Sequence, residues 1–397
     1  MKLENPVHQQ WLMTVNEKKI RKSAMPIVVW WGSPCRAIMP VFRELARTWN
    51  APIKVIACNA LSSSRQSMGW NLPDLGRAEL VTFKDGLSPA QASEIVKDNT
   101  DSFHLVGSYQ KAVPSIESSI HSCIEASIPF GVLSEAPLNM LHGPMRPIKE
   151  LYLTKLLPKR VKATIQHARF IANLSGSDKS SLAQLGWPAS KIHPFGYYPE
   201  LDYQQNEREP IPTDIICLGL QDHFKGADIL LRAVAIAKRD GNSYNVTITG
   251  DGKRKKKLES LARSLRIDRQ IDFSGLVSRE ELERRWRGAR ILVAPGRYEP
   301  WGIRVNESIL KGVPVVCSNG LGASELVDES GAGLVFATGD TKDLAKCITT
   351  LLRNEESRLE CHRRALNYST QISPNAAAER LKTIVLEAIE SMNQASC

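Results

Sequence analysis

Between positions 294 and 307 the chain reads Ala-Pro-Gly-Arg-Tyr-Glu-Pro-Trp-Gly-Ile-Arg-Val-Asn-Glu, which puts seven residues between Glu299 and Glu307 and places Gly302 among them. The apolar run ending at Ala294 reads as a strand, and 303–311 has helical spacing. A glycine where a helix opens lets a ligand come close to the backbone, since no Cβ stands in the way. The amides of the first helical turn have no carbonyl partner inside the helix, so they can hold a phosphate with help from the helix dipole. A carboxylate about one turn further in can accept hydrogen bonds from two ribose hydroxyls, and one in the preceding loop can face a sugar. Two glutamates in a strand-to-helix turn are commonly surface residues. The flanking strand, glycine and helix set this pair apart.

Such residues need a frame. In the second half, strands are expected at 214–218, 245–249, 271–274, 291–294, 314–317 and 333–336. Helices are expected between them at 227–239, 253–265, 279–287, 303–311 and 340–353. Strand–helix alternation at this spacing makes βαβ units and a parallel sheet covered on both faces. The first half alternates less cleanly. Its expected strands are 27–31, 53–57, 79–83, 103–106, 129–134 and 170–173, with helices near 37–48, 89–97, 113–126 and 178–185. The segment 194–212 carries four prolines and reads as a linker. The expected division is therefore 1–197, 198–370 and a closing helix in 371–397 that packs back on the first domain. Ligands in such sheets bind beyond the carboxyl ends of the strands.

Composition bounds the function. A chain of 397 residues suits two domains, and 42% hydrophobic with 24% charged residues suits a globular protein. No apolar run approaches the roughly 20 residues of a membrane-spanning helix, and the N-terminus does not read as a signal peptide. Eight scattered cysteines without a Cys-x-x-Cys pair favour free thiols in a reducing cytoplasm. The net charge of +10 suits acidic partners without choosing among them. No aromatic platform or recognisable module supports nucleic-acid binding. No Gly-x-Gly-x-x-Gly follows a first strand in either half, which argues against a nicotinamide-dependent dehydrogenase.

The stretch from Ala294 to Glu307 resembles the Glu-x7-Glu signature of retaining glycosyltransferases of the GT-B fold, in family 4, the group 1 glycosyltransferases. The resemblance extends to Lys311-Gly-Val-Pro-Val-Val-Cys-Ser-Asn-Gly320-Leu-Gly322-Ala-Ser-Glu325, to Gly219 with Lys225-Gly226, to Thr249-Gly250-Asp251-Gly252, and to Phe273-Ser-Gly275. Pro194-Phe-Gly196-Tyr-Tyr-Pro-Glu200 carries it into the hinge, and the first half resembles the family in layout alone. The resemblance implies an α/β chain with two Rossmann-like doubly wound domains facing across a cleft. It implies that Lys225 neutralises the diphosphate of a nucleotide-sugar donor and that Glu307 holds the ribose. Glu299 would contact the transferred sugar, while Gly302, Ile303 and Arg304 offer backbone amides. Gly219 would belong to the donor-binding loop with Lys225, Gly250 would let the nucleotide pass close to a strand end, and Glu325 would support the site. One departure stands out: many relatives carry an arginine directly after the glycine equivalent to Gly219, where this chain has Leu220. Arg297 and Arg304 lie near enough in sequence to substitute.

Acceptor-side candidates follow from position. His104 lies where relatives often place a histidine that contacts the sugar, although a histidine in a strand is more often a satisfied core residue; His121 and His142 are weaker candidates. Gly32, after the first strand, and Glu135, at the end of the fifth, would face the cleft. No Asp-x-Asp occurs, which agrees with a site that needs no metal and no cofactor beyond the co-substrate. The acceptor is expected to be a glycan or a lipid-linked molecule. Peripheral membrane contact could come through the basic runs Lys253–Lys257, Lys18 to Lys22, and Lys155 to Lys162, since clustered cations gain about 1 kcal/mol each near an anionic surface. The alternatives are an inactive nucleotide-sugar-binding subunit, favoured by Leu220, and a sugar epimerase of the same fold.

Overall fold

The structure, a computed structural model, describes residues 25–61, 72–107, 113–136, 159–177, 179–201, 208–219 and 222–395. Leu220, His142, Asp178, Lys155 and the basic residues at 18–22 lie outside the described residues. The first half forms β1 (Ile27–Trp31), α1 (Met39–Thr48), β2 (Ile53–Ala57), β3 (Glu79–Thr82), α2 (Pro89–Lys97), β4 (Phe103–Gly107), α3 (Pro114–Glu125), β5 (Phe130–Ser134), α4 (Lys159–His167), β6 (Ile171–Asn173), α5 (Ser180–Gln184) and β7 (Ile192–Pro194). The second half forms β8 (Thr213–Leu218), α6 (Ala227–Arg239), β9 (Val246–Thr249), α7 (Lys255–Ser264), β10 (Ile271–Gly275), α8 (Arg279–Arg287), β11 (Ala289–Ala294), α9 (Ile303–Leu310), β12 (Val315–Ser318), α10 (Ser324–Ser330), β13 (Gly333–Phe336), α11 (Thr341–Arg353), α12 (Glu355–Tyr368) and α13 (Pro374–Ala395).

Continuous apolar strands explain the sheets. In β1, Ile27 to Trp30 are all buried, so both faces of the strand are covered, as parallel sheets require. The first sheet has the order β3-β2-β1-β4-β5-β6-β7 and the second β10-β9-β8-β11-β12-β13. Every pairing is parallel; Val29, for instance, lies opposite both Val55 and Leu105. In each sheet the chain winds outward in one direction and then resumes on the other side of its first strand. The switch falls between β1 and β4 in one sheet and between β8 and β11 in the other. In sheets of this kind a ligand crevice lies beyond the carboxyl ends of the strands at such switch points.

Local chemistry sets the helix starts. Ser88 and Gln91 form a reciprocal cap for α2 with Pro89 in its first turn, and Asp340 accepts from Lys342 N and Asp343 N to open α11. One apolar cluster runs through both halves. It includes Phe42, Leu45 and Trp49 of the first half, Phe195 and Tyr198 of the connection, and Trp301, Val305 and Leu321 of the second. Leu381 and Val385 join it because α13 packs on α1, where Arg47 Nη2 also donates to Asn375 Oδ1 at 2.8 Å.

Sequence and structure agree on twelve strands to within two residues at either end. β7, the short helices α4 and α10, and α12 are additions. A three-residue strand and a seven-residue helix carry too few positions to show a period. Among the described residues no helix is long and apolar enough to cross a membrane. The seven described cysteines are free thiols, six of them buried.

Candidate active site

The loops at the second switch point bring the candidate residues together. After β8 the chain turns at Gly219, whose φ of 127° lies in the left-handed region. Asp222 Oδ1 then accepts from Phe224 N at 2.9 Å and Lys225 N at 3.2 Å, which folds the loop back. Gly226 caps α6 with φ 70°, and a Cβ there would lie 1.9 Å from Pro295 O. Only glycine fits both the backbone angle and the contact. The loops after β8 and β11 are thereby pressed together, and Lys225 Nζ donates to Glu299 Oε2 at 2.7 Å. Both side chains are largely covered, at 33% and 20% exposure, so water screens the pair weakly.

Arg297 fastens the same two loops. Its backbone N donates to Phe224 O at 2.7 Å and its Nη1 to His223 O at 2.8 Å. Its guanidinium also grips both oxygens of Asp228, in the first turn of α6, at 2.9 and 2.7 Å. Burial pushes the Asp228 carboxyl up, but the Arg297 hydrogen bonds and the charges of Arg297 and Arg254 outweigh it and hold the group below its ordinary value. Arg297 is therefore engaged in bracing the lysine loop.

Gly302 caps α9 with φ 99°, close against Leu321, and so opens the helix at the crevice. Ile303 and Arg304 supply first-turn amides there. Glu307 is one turn in and accepts on Oε2 from Arg304 Nη1 at 2.6 Å. Arg304 also lies over the ring of Trp286, 5.9 Å from its centroid. Glu299 is set by the backbone: its N donates to Gly320 O at 3.1 Å and its O accepts from Gly322 N at 3.3 Å. On the neighbouring strand end, Gly250 has φ 101° and donates to Gly275 O at 2.6 Å.

Glu325 takes a different place. It lies in the first turn of α10, and its Oε2 accepts from Ser177 N of the first half at 2.8 Å. A Cβ at Gly176, where φ is 95°, would lie 2.9 Å from either carboxylate oxygen. The residue joins the two halves. Burial raises its carboxyl above the ordinary range, the Ser177 hydrogen bonds partly offset this, and Glu329 adds to it.

The expectation for His104 is corrected. It is the second residue of β4, far from the carboxyl end, and is 0% exposed. Its Nδ1 accepts from Trp30 Nε1 at 3.0 Å, and its Nε2 bonds Asn99 O at 3.1 Å. Both ring nitrogens are committed, and burial lowers its pKa. It is a core residue and cannot reach a ligand. Gly32 does face open space, with nothing within 4 Å of a Cβ placed on it. Glu135, after β5, accepts on Oε1 from Tyr197 OH at 2.9 Å. Burial, with the nearby Glu135 charge, raises the hydroxyl of Tyr298, a residue of the second half.

Three further residues are not expected from the sequence: Tyr197, Trp301 and Asn306. Their only signal is position, since Trp301 and Asn306 fall inside the Glu-x7-Glu stretch as apparent spacers and Tyr197 inside the hinge. Elsewhere, a cavity of about 780 Å3 opens between α6 and α11, lined by Arg239, Lys342, Lys346 and Arg353 among others, and touches none of the candidate residues. Among the described residues no group of three His, Cys, Asp or Glu side chains is placed to hold a metal ion.

Comparison with known proteins bears on this geometry. Residues 201–368 match the family described as Glycosyl transferases group 1. A D-inositol 3-phosphate glycosyltransferase of Corynebacterium aurimucosum is 28% identical over 187 residues, covering 45% of this chain and 44% of that protein. A glycogen synthase of Mycobacterium tuberculosis is 29% identical over 141 residues, covering 36% of this chain and 34% of its own length. The chain thus matches less than half the length of these curated relatives. The structural likeness is longer. HepE of Anabaena, solved with UDP, has a TM-score of 0.68 at 14% identity and covers 92% of this chain and 100% of its own. Sucrose-phosphate synthase of Thermosynechococcus elongatus has a TM-score of 0.60 at 14% identity, covering 93% and 100%. With its two parallel sheets, the chain has the GT-B fold.

Proposed function

We propose, from the match of residues 201–368 to the group 1 glycosyl transferases, that this chain moves a sugar from a nucleoside diphosphate sugar to a hydroxyl acceptor with retention of configuration. The observation that carries the reading is the Lys225–Glu299 pair at 2.7 Å, placed at the topological switch point beside the opening of α9. Lys225 has three N–H donors and spends one on Glu299, so it can also meet an incoming diphosphate. Ile303 and Arg304 open the first turn of α9, where amides lack intrahelical partners and can meet a phosphate, and Glu307 one turn beyond would hold the ribose. Glu299 would then face the transferred sugar, with Gly219 in the donor-binding loop, Gly250 letting the nucleotide pass, and Gly32 and Glu135 on the acceptor wall. As the bond from the anomeric carbon to the diphosphate oxygen breaks, negative charge grows on the leaving group. Lys225 and the helix amides would meet that charge, so stabilising the departing diphosphate would contribute most to the rate. The charge is met by protein groups alone, so the reaction is proposed to need no metal.

The acceptor is proposed to be a glycan or a lipid-linked molecule, handled in the cytoplasm during glycan synthesis. Lys253, Lys256 and Lys257 are exposed where α7 opens and would meet an anionic membrane face. UDP-glucose and the corresponding GDP, ADP, dTDP and CDP sugars, incubated with the protein, should show nucleoside diphosphate release by one of them, with water in place of the acceptor hydroxyl taking the sugar and giving up its proton. That release should fall about 10²–10³-fold in Lys225→Ala. A fold kept intact with no loss of release would sink the assignment. Nucleotide binding without release, persisting when glycan and lipid-linked hydroxyl acceptors are added, would favour the inactive-subunit reading that Leu220 suggests.

A further inference from the structure

Trp301 lies between Glu299 and Gly302, inside the loop that the proposed transferase reading makes its centre, and is 2% exposed. Its indole does not lean on its own half alone. A Cβ at Gly196 would lie 2.4 Å from Trp301 Cη2, so the first half's connection touches the ring where only glycine leaves room. Tyr198 packs on it from the same side at a centroid distance of 6.3 Å. The ring's Nε1 donates to Asn306 Oδ1 at 2.7 Å, and Asn306 Nδ2 donates to the main-chain oxygen of Tyr197 at 3.1 Å. Asn306 is 0% exposed and spends both ends of its amide on this bridge. It also immediately precedes Glu307.

The geometry points to Asn306 as a positioning residue that clamps Trp301, and with it the Glu299–Gly302 loop, to the first half's main chain at Tyr197. The nucleotide side of the crevice is thus complete only while the two halves are docked at this seam. A buried amide with both ends engaged is the kind of link that fixes one arrangement, because losing either partner leaves a polar group unpaired out of water. The seam also touches the acceptor wall, since the hydroxyl of the same Tyr197 donates to Glu135. The inference rests on the proposed function for its consequence in catalysis, but the clamp itself can be tested without any substrate.

The experiment compares the full chain with Asn306→Ala and with Gly196→Ala, which pushes on the ring from the other half. Tyr197→Phe keeps the main-chain acceptor and serves as the control. Backbone amide hydrogen exchange is followed without ligand. The expected result is at least tenfold faster exchange across residues 297–303 in both of the first two variants, with α11 and the first sheet unchanged and Tyr197→Phe like wild type. Isothermal titration with UDP, GDP, ADP, dTDP and CDP then reads the consequence: affinity for whichever binds wild type should fall about tenfold or more in the same two variants. Should one variant fail to fold, the other still probes the joint. Wild-type exchange at 297–303 in a folded variant would overturn the clamp, whatever the titration shows. Wild type that binds none of the five nucleotides would instead overturn the proposed function and leave the exchange result to decide the clamp.

Discussion

Lys225 and Glu299 are 74 positions apart in sequence and share a 2.7 Å hydrogen bond. Bringing them together in a largely covered site raises the cost of losing either charge, because the survivor is left without its partner. Glu307 is held in a similar way by Arg304. Glu307→Ala is expected to weaken nucleotide binding and cut sugar transfer strongly while leaving the thermal transition near wild type, measured by calorimetry alongside activity. His104 should behave in the opposite way. Its ring is buried with both nitrogens bonded, so His104→Ala should cost about 2–4 kcal/mol of stability and leave nucleotide affinity unchanged. At this scale the sequence singles out Glu299, Gly302 and Glu307, because a strand, a glycine and a helix N-terminus bracket them within fourteen positions. It misplaces His104, whose neighbours Phe103, Leu105 and Val106 already mark a strand buried on both faces. It carries no sign of Asn306, since a buried amide bridging two halves depends on contacts 109 residues apart.

At the scale of elements, the two switch points decide where chemistry can occur, and the glycines decide how closely the loops approach. Strands with continuous Val and Ile runs are visible in the sequence because a parallel sheet demands them, whereas β7 and α10 are too short to show a period. Glu325 at the start of α10 is expected from the sequence to support the site and instead joins that helix to Ser177. Its carboxyl is raised by burial, so the native state binds the proton more tightly than the unfolded chain does. The contribution to stability is therefore fully present in acid, below the ordinary glutamate value, and is lost as pH climbs through the raised one. Glu325→Gln keeps an oxygen for the Ser177 amide and carries no charge to bury. Its Tm should exceed that of wild type near pH 8, and the two should converge toward pH 4. A Tm below wild type at pH 8 would mean that the ionised carboxylate itself holds the seam.

At the scale of the molecule, one continuous apolar cluster runs through both GT-B halves by way of Phe195, Tyr198, Trp301 and α13. The prolines of 194–212 suggest a hinge. What they cannot show is that residues 195–198 pack against the Glu299–Gly302 loop, since that contact arises only when both sheets are in place. The central claim is that this crevice binds a nucleoside diphosphate through Lys225. The most direct test is thermal unfolding of the full chain with UDP, GDP, ADP, dTDP and CDP in turn, alongside Lys225→Ala. A ligand that binds only the native state adds about 2.7 kcal/mol when present at a hundred times its Kd, which a Tm shift of a few degrees reports. The account predicts that one nucleotide raises Tm in wild type and that the shift disappears in the variant. An equal shift in both proteins, or none in wild type, would contradict it.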